Sequence, residues 1–149
     1  MKVIALQGIR GGVGTTAIVA GLALAAHEQG ARVLLDLPLG MAPVIPCRRL
    51  LVVNADANCH VRLHRHPWAA DERLLVTQFS SQRALQQGLL DLWLAGGLPL
   101  LNLHLHRDEA MAEAMAAKLP VGRYAPTSLV AHELAALATW CLAEVEAPR

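Results

Sequence analysis

The fold of this chain is decided by residues 2–36, which read KVIALQGIRGGVGTTAIVAGLALAAHEQGARVLLD. Residues 2–7 hold a short apolar run without alternation, which is typical of a strand buried on both faces of a parallel sheet. A glycine-rich turn follows, and residues 15–29 are then helix formers that end at Gly30, a residue that favours a helix C-terminus. Residues 32–36 form a second apolar run. The stretch therefore predicts one strand–helix–strand unit with a right-handed crossover.

The glycine-rich turn is a candidate phosphate-binding loop. It lies between the first strand and the first helix, where backbone N–H groups and the positive end of the helix dipole converge on an anion. Glycines let the backbone approach phosphate oxygens, since no Cβ stands in the way. A tight turn alone needs one glycine, whereas residues 8–14 contain four. The predicted nucleotide-binding residues are Gly8, Ile9, Arg10, Gly11, Gly12, Val13, Gly14, Thr15 and Thr16.

The remaining sequence continues the alternation of strands and helices. Apolar runs predict strands, and apolar residues three and four apart predict helices, with Asp108 and Glu109 suited to the first turn of one of them. Prolines break residues 37–47 into a loop, and residues 56–67 form a polar connection with at most a short helix. We therefore predict a three-layer α/β fold with a mostly parallel sheet of about five strands. The predicted strands are residues 2–7, 32–36, 50–54, 73–79 and 98–104, and the predicted helices are residues 15–29, 82–94, 107–118 and 127–144.

The composition indicates one domain and excludes some classes of partner. Of 149 residues, 54% are apolar and 3% are aromatic, so one aliphatic core is expected. Thirteen basic and twelve acidic side chains leave a net charge of +1, which provides no electrostatic footprint for nucleic acid or an anionic membrane. Three cysteines without framework spacing predict reduced thiols, and no segment fits a secretion signal or a membrane span. We therefore expect a single domain over residues 1–149 in the cytoplasm.

The loop sequence Arg10-Gly-Gly-Val-Gly-Thr-Thr16 resembles the deviant Walker A loop of the ParA/MinD group of P-loop ATPases, Lys-Gly-Gly-x-Gly-Lys-Thr-Thr/Ser. The resemblance places Arg10 at the signature lysine, which reaches across a nucleotide-sandwich dimer, and Thr16 at the threonine that ligates Mg²⁺. Thr15 takes the place of the Walker lysine. Its hydroxyl is uncharged, so the main cation that neutralises the β- and γ-phosphates is missing. Arg10 compensates in part, because guanidinium binds phosphate bidentately.

Three longer strings narrow the resemblance: VNADANCHVRLH at residues 53–64, HRDEAMAE at 106–113 and AKLPVG at 117–122. They are similar to the BcsQ/YhjQ family of bacterial cellulose-synthesis operons, a ParA/MinD-type family whose loop also has threonine in place of lysine. The resemblance covers about residues 1–36 and 50–145. It implies a cytoplasmic protein that binds ATP and Mg²⁺, hydrolyses ATP weakly or not at all, and helps assemble or localise the inner-membrane cellulose synthase complex. It also implies a homodimer, contacts with other subunits of that complex, and membrane contact only through partners.

The chain departs from the family pattern between Leu35 and Leu50. In ParA/MinD-type proteins the second strand is followed by switch I, by several helices and strands, and then by the strand with the switch II Asp. Here Asp36-Leu-Pro resembles the end of that later strand, joined directly to the first unit. We therefore expect a truncated domain without the switch I Asp that orients the attacking water, so no catalytic residue is assigned. Asp36 is the candidate Mg²⁺-proximal carboxylate together with Thr16, and the alternative role for Asp36 is to cap a turn.

Other interpretations stay open. Thr77 stands where the family strand ends in an Asn that faces adenine, so the base preference is unassigned. A non-catalytic scaffold that no longer binds nucleotide is one alternative function, and a ParA-like partitioning ATPase is another, which the near-neutral charge disfavours. Cys59, His60, His64 and His66 have the chemistry of metal ligands, but their spacing fits no closed zinc pattern.

Overall fold

The computed structural model describes residues 3–30, 33–36, 41 and 48–146, and of residues 3, 33–36 and 144–146 it describes the backbone. The strands are β1 (Val3–Gly8), β2 (Val33–Asp36), β3 (Arg48–Asn54) and β4 (Glu72–Thr77). They form one parallel sheet in the order β2-β1-β3-β4. Residues 50–53 of the inner strand β3 are at most 1% exposed, because helices cover both faces of a parallel sheet.

Helices flank this sheet. The β1-to-β2 and β3-to-β4 connections run in opposite directions across it, so right-handed crossovers place their helices on opposite faces. The predicted three-layer α/β fold with a parallel sheet is therefore confirmed. The helices of the described residues are α1 (Thr15–Glu28), α2 (Ala57–Arg65), α3 (Ala84–Ala95), α4 (Glu109–Ala116), α5 (Val121–Tyr124) and α6 (Leu129–Glu146).

The two longest helices, α1 and α6, pack against each other. A Cβ built on Gly21 of α1 would lie 2.5 Å from Leu134 Cδ1 of α6, so glycine is what allows the close approach. The apolar stripe that the sequence predicts for the last helix is buried at Val130, Leu134, Leu137 and Cys141. The periodicity of this helix therefore predicted its packing.

The predicted fifth strand is a bridged segment rather than a regular strand. Residues 98–106 run beside β4, but they form only isolated bridges, Leu74 with Leu100 and Phe79 with His106. The N–H of Leu101 donates to Leu74 O, and the N–H of Leu105 donates to Val76 O, each at 2.9 Å. Between these two hydrogen bonds the segment advances by four residues, whereas β4 advances by two. This bulge interrupts the ladder.

A helix lies in each of two stretches, one where the sequence predicts at most a short helix and one where it predicts a loop. Residues 56–67 contain the nine-residue α2, which begins because Asp56 Oδ1 accepts a hydrogen bond from the N–H of Cys59 at 2.7 Å. The region between the last two predicted helices contains the single turn α5. The predicted loop at residues 37–47 lies outside the described residues except for Met41.

Two of the three cysteines lie among the described residues, and both are reduced. Cys59 and Cys141 are buried free thiols, and Cys47 lies outside the described residues. Burial raises the pKa of Cys141 to about 12, with Arg48 opposing the shift. Among the helices that the structure describes, none is long and apolar enough to cross a membrane.

One carboxylate caps two helices. Asp108 Oδ1 accepts a hydrogen bond from the N–H of Ala110 at 3.0 Å, in the first turn of α4. Its Oδ2 accepts one from the N–H of Val130 at 3.2 Å, in the first turn of α6. Asp108 therefore links the N-termini of α4 and α6.

Replacing Asp108 by Ala should lower the free energy of unfolding by about 2 kcal/mol, because each lost cap costs about 1 kcal/mol. Asp108→Asn keeps one acceptor oxygen and should cost about half as much. Urea unfolding measures both as shifts of the midpoint at constant slope. If the Ala and Asn variants were equally stable, the double-cap assignment would be wrong.

Candidate functional site

The candidate phosphate loop joins the carboxyl end of β1 to the N-terminus of α1. β1 has β2 on one side and β3 on the other, and such a switch in strand order opens a crevice at the carboxyl ends of the strands. Ile9 and Val13 anchor the loop, because both side chains are 1% exposed in the core. The N–H of Ile9 also donates to Val52 O at 3.0 Å. The buried side chains thus fix the loop to the core, while Gly11 and Gly12 stay exposed to solvent.

The conformation of the loop depends on its glycines. Gly12 and Gly14 have φ values of +83° and +89°, in the left-handed region that other residues rarely adopt. A Cβ on Gly14 would also lie 2.9 Å from Gln78 Nε2, and one on Gly8 would lie 2.5 Å from Thr15 Oγ1. Glycine is therefore required by geometry at several points of this turn.

The N-terminus of α1 suits an anion. Gly14 is its N-cap, and in the described part of the chain no side chain hydrogen-bonds that cap and no acidic residue lies in the first turn. The first N–H groups of a helix have no partner within the helix, and together with the helix dipole they bind phosphate or carboxylate. The loop that the sequence predicts to bind phosphate therefore has the backbone donors for it.

The charge at the loop comes from Arg10, whose guanidinium is already engaged. Its Nη2 donates to Asp56 Oδ2 at 3.1 Å, and its Nη1 donates to Gly11 O at 2.8 Å. Burial raises the pKa of Asp56, but the N–H of Cys59 and the guanidinium of Arg10 outweigh burial, so this pKa lies below its usual value. Thr15 is half-buried and Thr16 is exposed. Arg10 is the only basic residue between positions 8 and 16.

A cavity of about 320 Å³ adjoins the loop. Its size lies at the lower end of the range for small-molecule sites. Gly14, Ala17 and Ile18 line it on the loop side, and Thr77 and Gln78 line it at the end of β4. Thr77 is 4% exposed, at the strand end where the sequence predicts the base-facing position. The cavity next to the phosphate loop therefore has room for the ring of a bound small molecule.

His106 also lines this cavity, and Glu133 of α6 holds it in place. The N–H of His106 donates to Glu133 Oε1 at 2.9 Å, and its Nδ1 lies 2.5 Å from Glu133 Oε2. Burial lowers the pKa of the nearby His104, and His106 lowers it further. Glu133 has no local sequence signal as a site residue, because it pairs with a residue 27 positions away. Gln78 has none either, although its φ of +56° lies in the left-handed region.

The two candidate Mg²⁺ ligands come from neighbouring elements. Thr16 lies in the first turn of α1, and Asp36 ends β2 in register with Leu6 of β1. The side chain of Asp36 lies outside the described residues. A hydroxyl and a carboxylate are oxygen ligands of the type that Mg²⁺ prefers.

Three of the four residues with metal-ligand chemistry, Cys59, His60 and His66, have other contacts in or next to α2. Cys59 is fully buried, His60 Nδ1 accepts a hydrogen bond from Trp93 Nε1 at 3.0 Å, and His66 Nε2 lies 3.0 Å from Glu72 Oε1. Within residues whose side chains are described, no three His, Cys, Asp or Glu side chains group to hold a metal. These residues therefore stabilise the packing of α2.

A second cavity, of about 380 Å³, lies between α2 and α3 and is mainly apolar. His60, His64, Leu92 and Trp93 line it. The sequence places Leu85 and Leu92 with the apolar residues of α3, but these two are 64% and 54% exposed. The apolar spacing of this helix thus extends beyond the face that the core covers.

Comparison of sequences relates the chain to proteins of cellulose biosynthesis. A family model described as Cellulose biosynthesis protein BcsQ matches residues 1–39 and 41–142. Cellulose biosynthesis protein BcsQ of Salmonella typhimurium is 42% identical over an alignment of 126 residues, and the match covers 80% of this chain and 50% of that protein. Putative cellulose biosynthesis protein BcsQ of Escherichia coli K12 is 45% identical over 93 residues, or 62% of this chain and 38% of that protein. The chain spans about half the length, or less, of these curated relatives.

Comparison of structures relates the fold to a ParA family ATPase from Chlorobium tepidum. Its crystal structure superposes with a TM-score of 0.68 at 10% sequence identity. The superposition covers 93% of this chain and 98% of that chain, so the two share their fold over nearly their whole lengths. Together with the family match, this result confirms the resemblance that the loop and the three longer strings indicate. The chain belongs to the BcsQ family of cellulose biosynthesis proteins.

Proposed function

We propose that this chain is a nucleotide-binding accessory protein of bacterial cellulose biosynthesis. It binds ATP with Mg²⁺ through residues 8–16, and bound ATP acts as a switch for dimerisation or docking. The uncapped N-terminus of α1 behind a loop with two left-handed glycines carries the nucleotide part of the proposal. Membership of the family supports the cellulose part.

The triphosphate would lie on the backbone of residues 8–16, and the nucleoside would occupy the adjoining cavity of about 320 Å³. Thr16 and Asp36 would hold Mg²⁺, which neutralises charge on the β- and γ-phosphates when bound. Arg10 would be the cationic side chain within the loop that binds those phosphates. Thr77 offers a hydroxyl at the place predicted to face the base.

Slow or absent hydrolysis is part of the proposal. Thr15 carries no charge where the Walker lysine stands in the ParA/MinD group, and no sequence segment matches the switch I Asp. The family match breaks at residue 40, inside the stretch where the sequence indicates a missing segment. We take the chain to be one truncated ParA/MinD-like domain that binds nucleotide better than it turns it over.

The biological role proposed here is assembly or localisation of the inner-membrane cellulose synthase complex. The chain would act as a homodimer in the cytoplasm and reach the membrane through other subunits of that complex. A family in which every curated relative described above is named for cellulose biosynthesis supports this role. No step of it requires rapid ATP turnover.

Isothermal titration of the folded chain with ATP and Mg²⁺ tests nucleotide binding. We expect a saturable one-site isotherm and phosphate release at or below about 10⁻² s⁻¹, the range of unassisted nucleotide switches. Circular dichroism before and after the titration verifies that the sample is folded. A flat isotherm from a folded sample would refute the nucleotide part of the proposal.

A scaffold without nucleotide is the second candidate function. The exposed leucines of α3 and the apolar cavity beside them favour it, because contiguous exposed apolar surface often marks a protein interface. In that case complex assembly would not depend on the phosphate loop.

A further inference from the structure

The side chain of Arg10 is folded back onto the protein. Its Nη2 contacts Asp56 Oδ2 at 3.1 Å and its Nη1 contacts the carbonyl of Gly11 at 2.8 Å, which leaves the side chain 28% exposed. Burial alone lowers the pKa of Arg10, but its contacts with Asp56 and Cys59 outweigh burial and raise it. Arg10 and Asp56 are therefore both charged at neutral pH.

Asp56 is fixed independently of Arg10. Its Oδ1 caps α2 through the N–H of Cys59 at 2.7 Å, and the Cys59 side chain beneath is fully buried. Its Oδ2 is the atom that receives Arg10. Because the two oxygens have separate partners, Arg10 can leave Oδ2 without uncapping α2.

We propose that Asp56 is an internal competitor for the phosphate loop: it holds Arg10 when no polyphosphate is bound and thereby sets the affinity of the loop for polyanions. This inference rests on the proposed function of the same loop. Arg10 is the only cationic side chain between positions 8 and 16, so its carboxylate partner cancels the local positive charge. A partly exposed ion pair of this kind is weak and exchanges readily for a phosphate, which guanidinium binds bidentately.

Asp56→Asn is the direct test, because Asn caps helices as well as Asp does but carries no charge. The probes are inorganic tripolyphosphate and ATP with Mg²⁺, titrated calorimetrically into the full chain. Asp56→Asn should tighten Kd about fivefold to tenfold, the scale expected for loss of one charge a few ångströms from a polyanion. Urea unfolding should show that the variant remains folded.

Asp71→Asn is the matched control. Asp71 precedes β4 at the amino end of the strand, and its carboxylate lies 3.8 Å from Arg49. The change in net charge and the loss of an arginine partner are the same, but the site is at the opposite end of the sheet from the phosphate loop. This variant should bind both probes like the wild-type chain.

Arg10→Gln, alone and with Asp56→Asn, identifies the route of the effect. We expect weaker binding in the single variant, and in the Arg10→Gln background Asp56→Asn should change Kd by less than twofold. Binding by the wild-type chain with unchanged or weaker binding by Asp56→Asn would overturn this inference and leave the proposed function standing. An undiminished effect of Asp56→Asn without Arg10 would overturn it too. If neither the wild type nor Asp56→Asn bound either probe, the proposed function itself would fail.

Discussion

Replacing Gly11 by Asp is expected to weaken ATP binding severely without unfolding the chain. A Cβ at Gly11 meets no atom within 4 Å, and its φ lies outside the left-handed region, so the side chain fits without strain. The new carboxylate would stand in the loop that is proposed to receive three phosphates. Calorimetry should show Kd weakened at least about 100-fold, or about 2.7 kcal/mol.

Two control variants separate the effect of the new charge from the effects of side-chain size and of position in the chain. Gly11→Asn has nearly the same size without the charge and should weaken Kd only severalfold. Gly88 of α3 also meets no atom within 4 Å, so Gly88→Asp makes the same substitution away from the loop. It should bind ATP like the wild-type chain. Equal losses in Gly11→Asp and Gly88→Asp would contradict phosphate binding at residues 8–16.

The Gly11→Asp variant also separates the two candidate functions. If ATP binding controls assembly of the cellulose synthase complex, this variant should fail to assemble it in cells. If assembly were unchanged while the purified variant had lost ATP binding, the scaffold function would be favoured. Western blotting must show equal amounts of the variant and the wild-type chain.

Replacing Leu134 by Ala should cost about 3 kcal/mol of unfolding free energy. Leu134 is 1% exposed where α1 and α6 cross, and Leu→Ala at such sites costs 2–5 kcal/mol through lost burial and an unfilled cavity. That is a large part of the roughly 5–15 kcal/mol that stabilises a typical domain. Urea unfolding measures the change. Leu129→Ala, at a 55% exposed position on the same helix, should cost less than about 0.5 kcal/mol.

Gly21 makes this prediction sharper, because the effect of Gly21→Ala should change sign. In the wild-type chain its Cβ would lie 2.5 Å from Leu134 Cδ1, and overpacking outweighs the gain of about 1 kcal/mol in helix propensity. In the Leu134→Ala background that atom is absent, so the same substitution should stabilise by about 1 kcal/mol. Destabilisation in both backgrounds would mean that contact with Leu134 does not decide the residue at position 21.

The pattern of apolar residues predicted those elements that bury either both faces of a strand or one face of a helix. The continuous apolar runs of β1 and β3 and the spacing of Val130, Leu134 and Leu137 on α6 each reflect burial that local sequence encodes. The fifth strand was harder, because its apolar residues are the same whether the ladder continues or bulges. For α2 the sequence indicates at most a short helix, because its stability comes from a cap at Asp56 and two buried side chains, Cys59 and Leu63, rather than from a long apolar stripe.

The candidate site divides in the same way. Glycine spacing predicted the loop, since positive φ values leave a compositional trace at Gly12 and Gly14. The contacts of Arg10 with Asp56 and of His106 with Glu133 join residues 46 and 27 positions apart. Pairs of this kind follow from topology, and a single sequence carries no local signal of them.

The position of β2 has a consequence for where the length of this chain could change. Among the described strands, β2 pairs on one side only, with β1, and the break in the family match at residue 40 follows it closely. Segments inserted or deleted at that point would extend or shorten the open edge of the sheet. The pairing of β1 with β3 and the phosphate loop between β1 and α1 would be untouched. The edge strand is thus a position at which a change in chain length would alter one border of the sheet and leave the candidate phosphate loop in place.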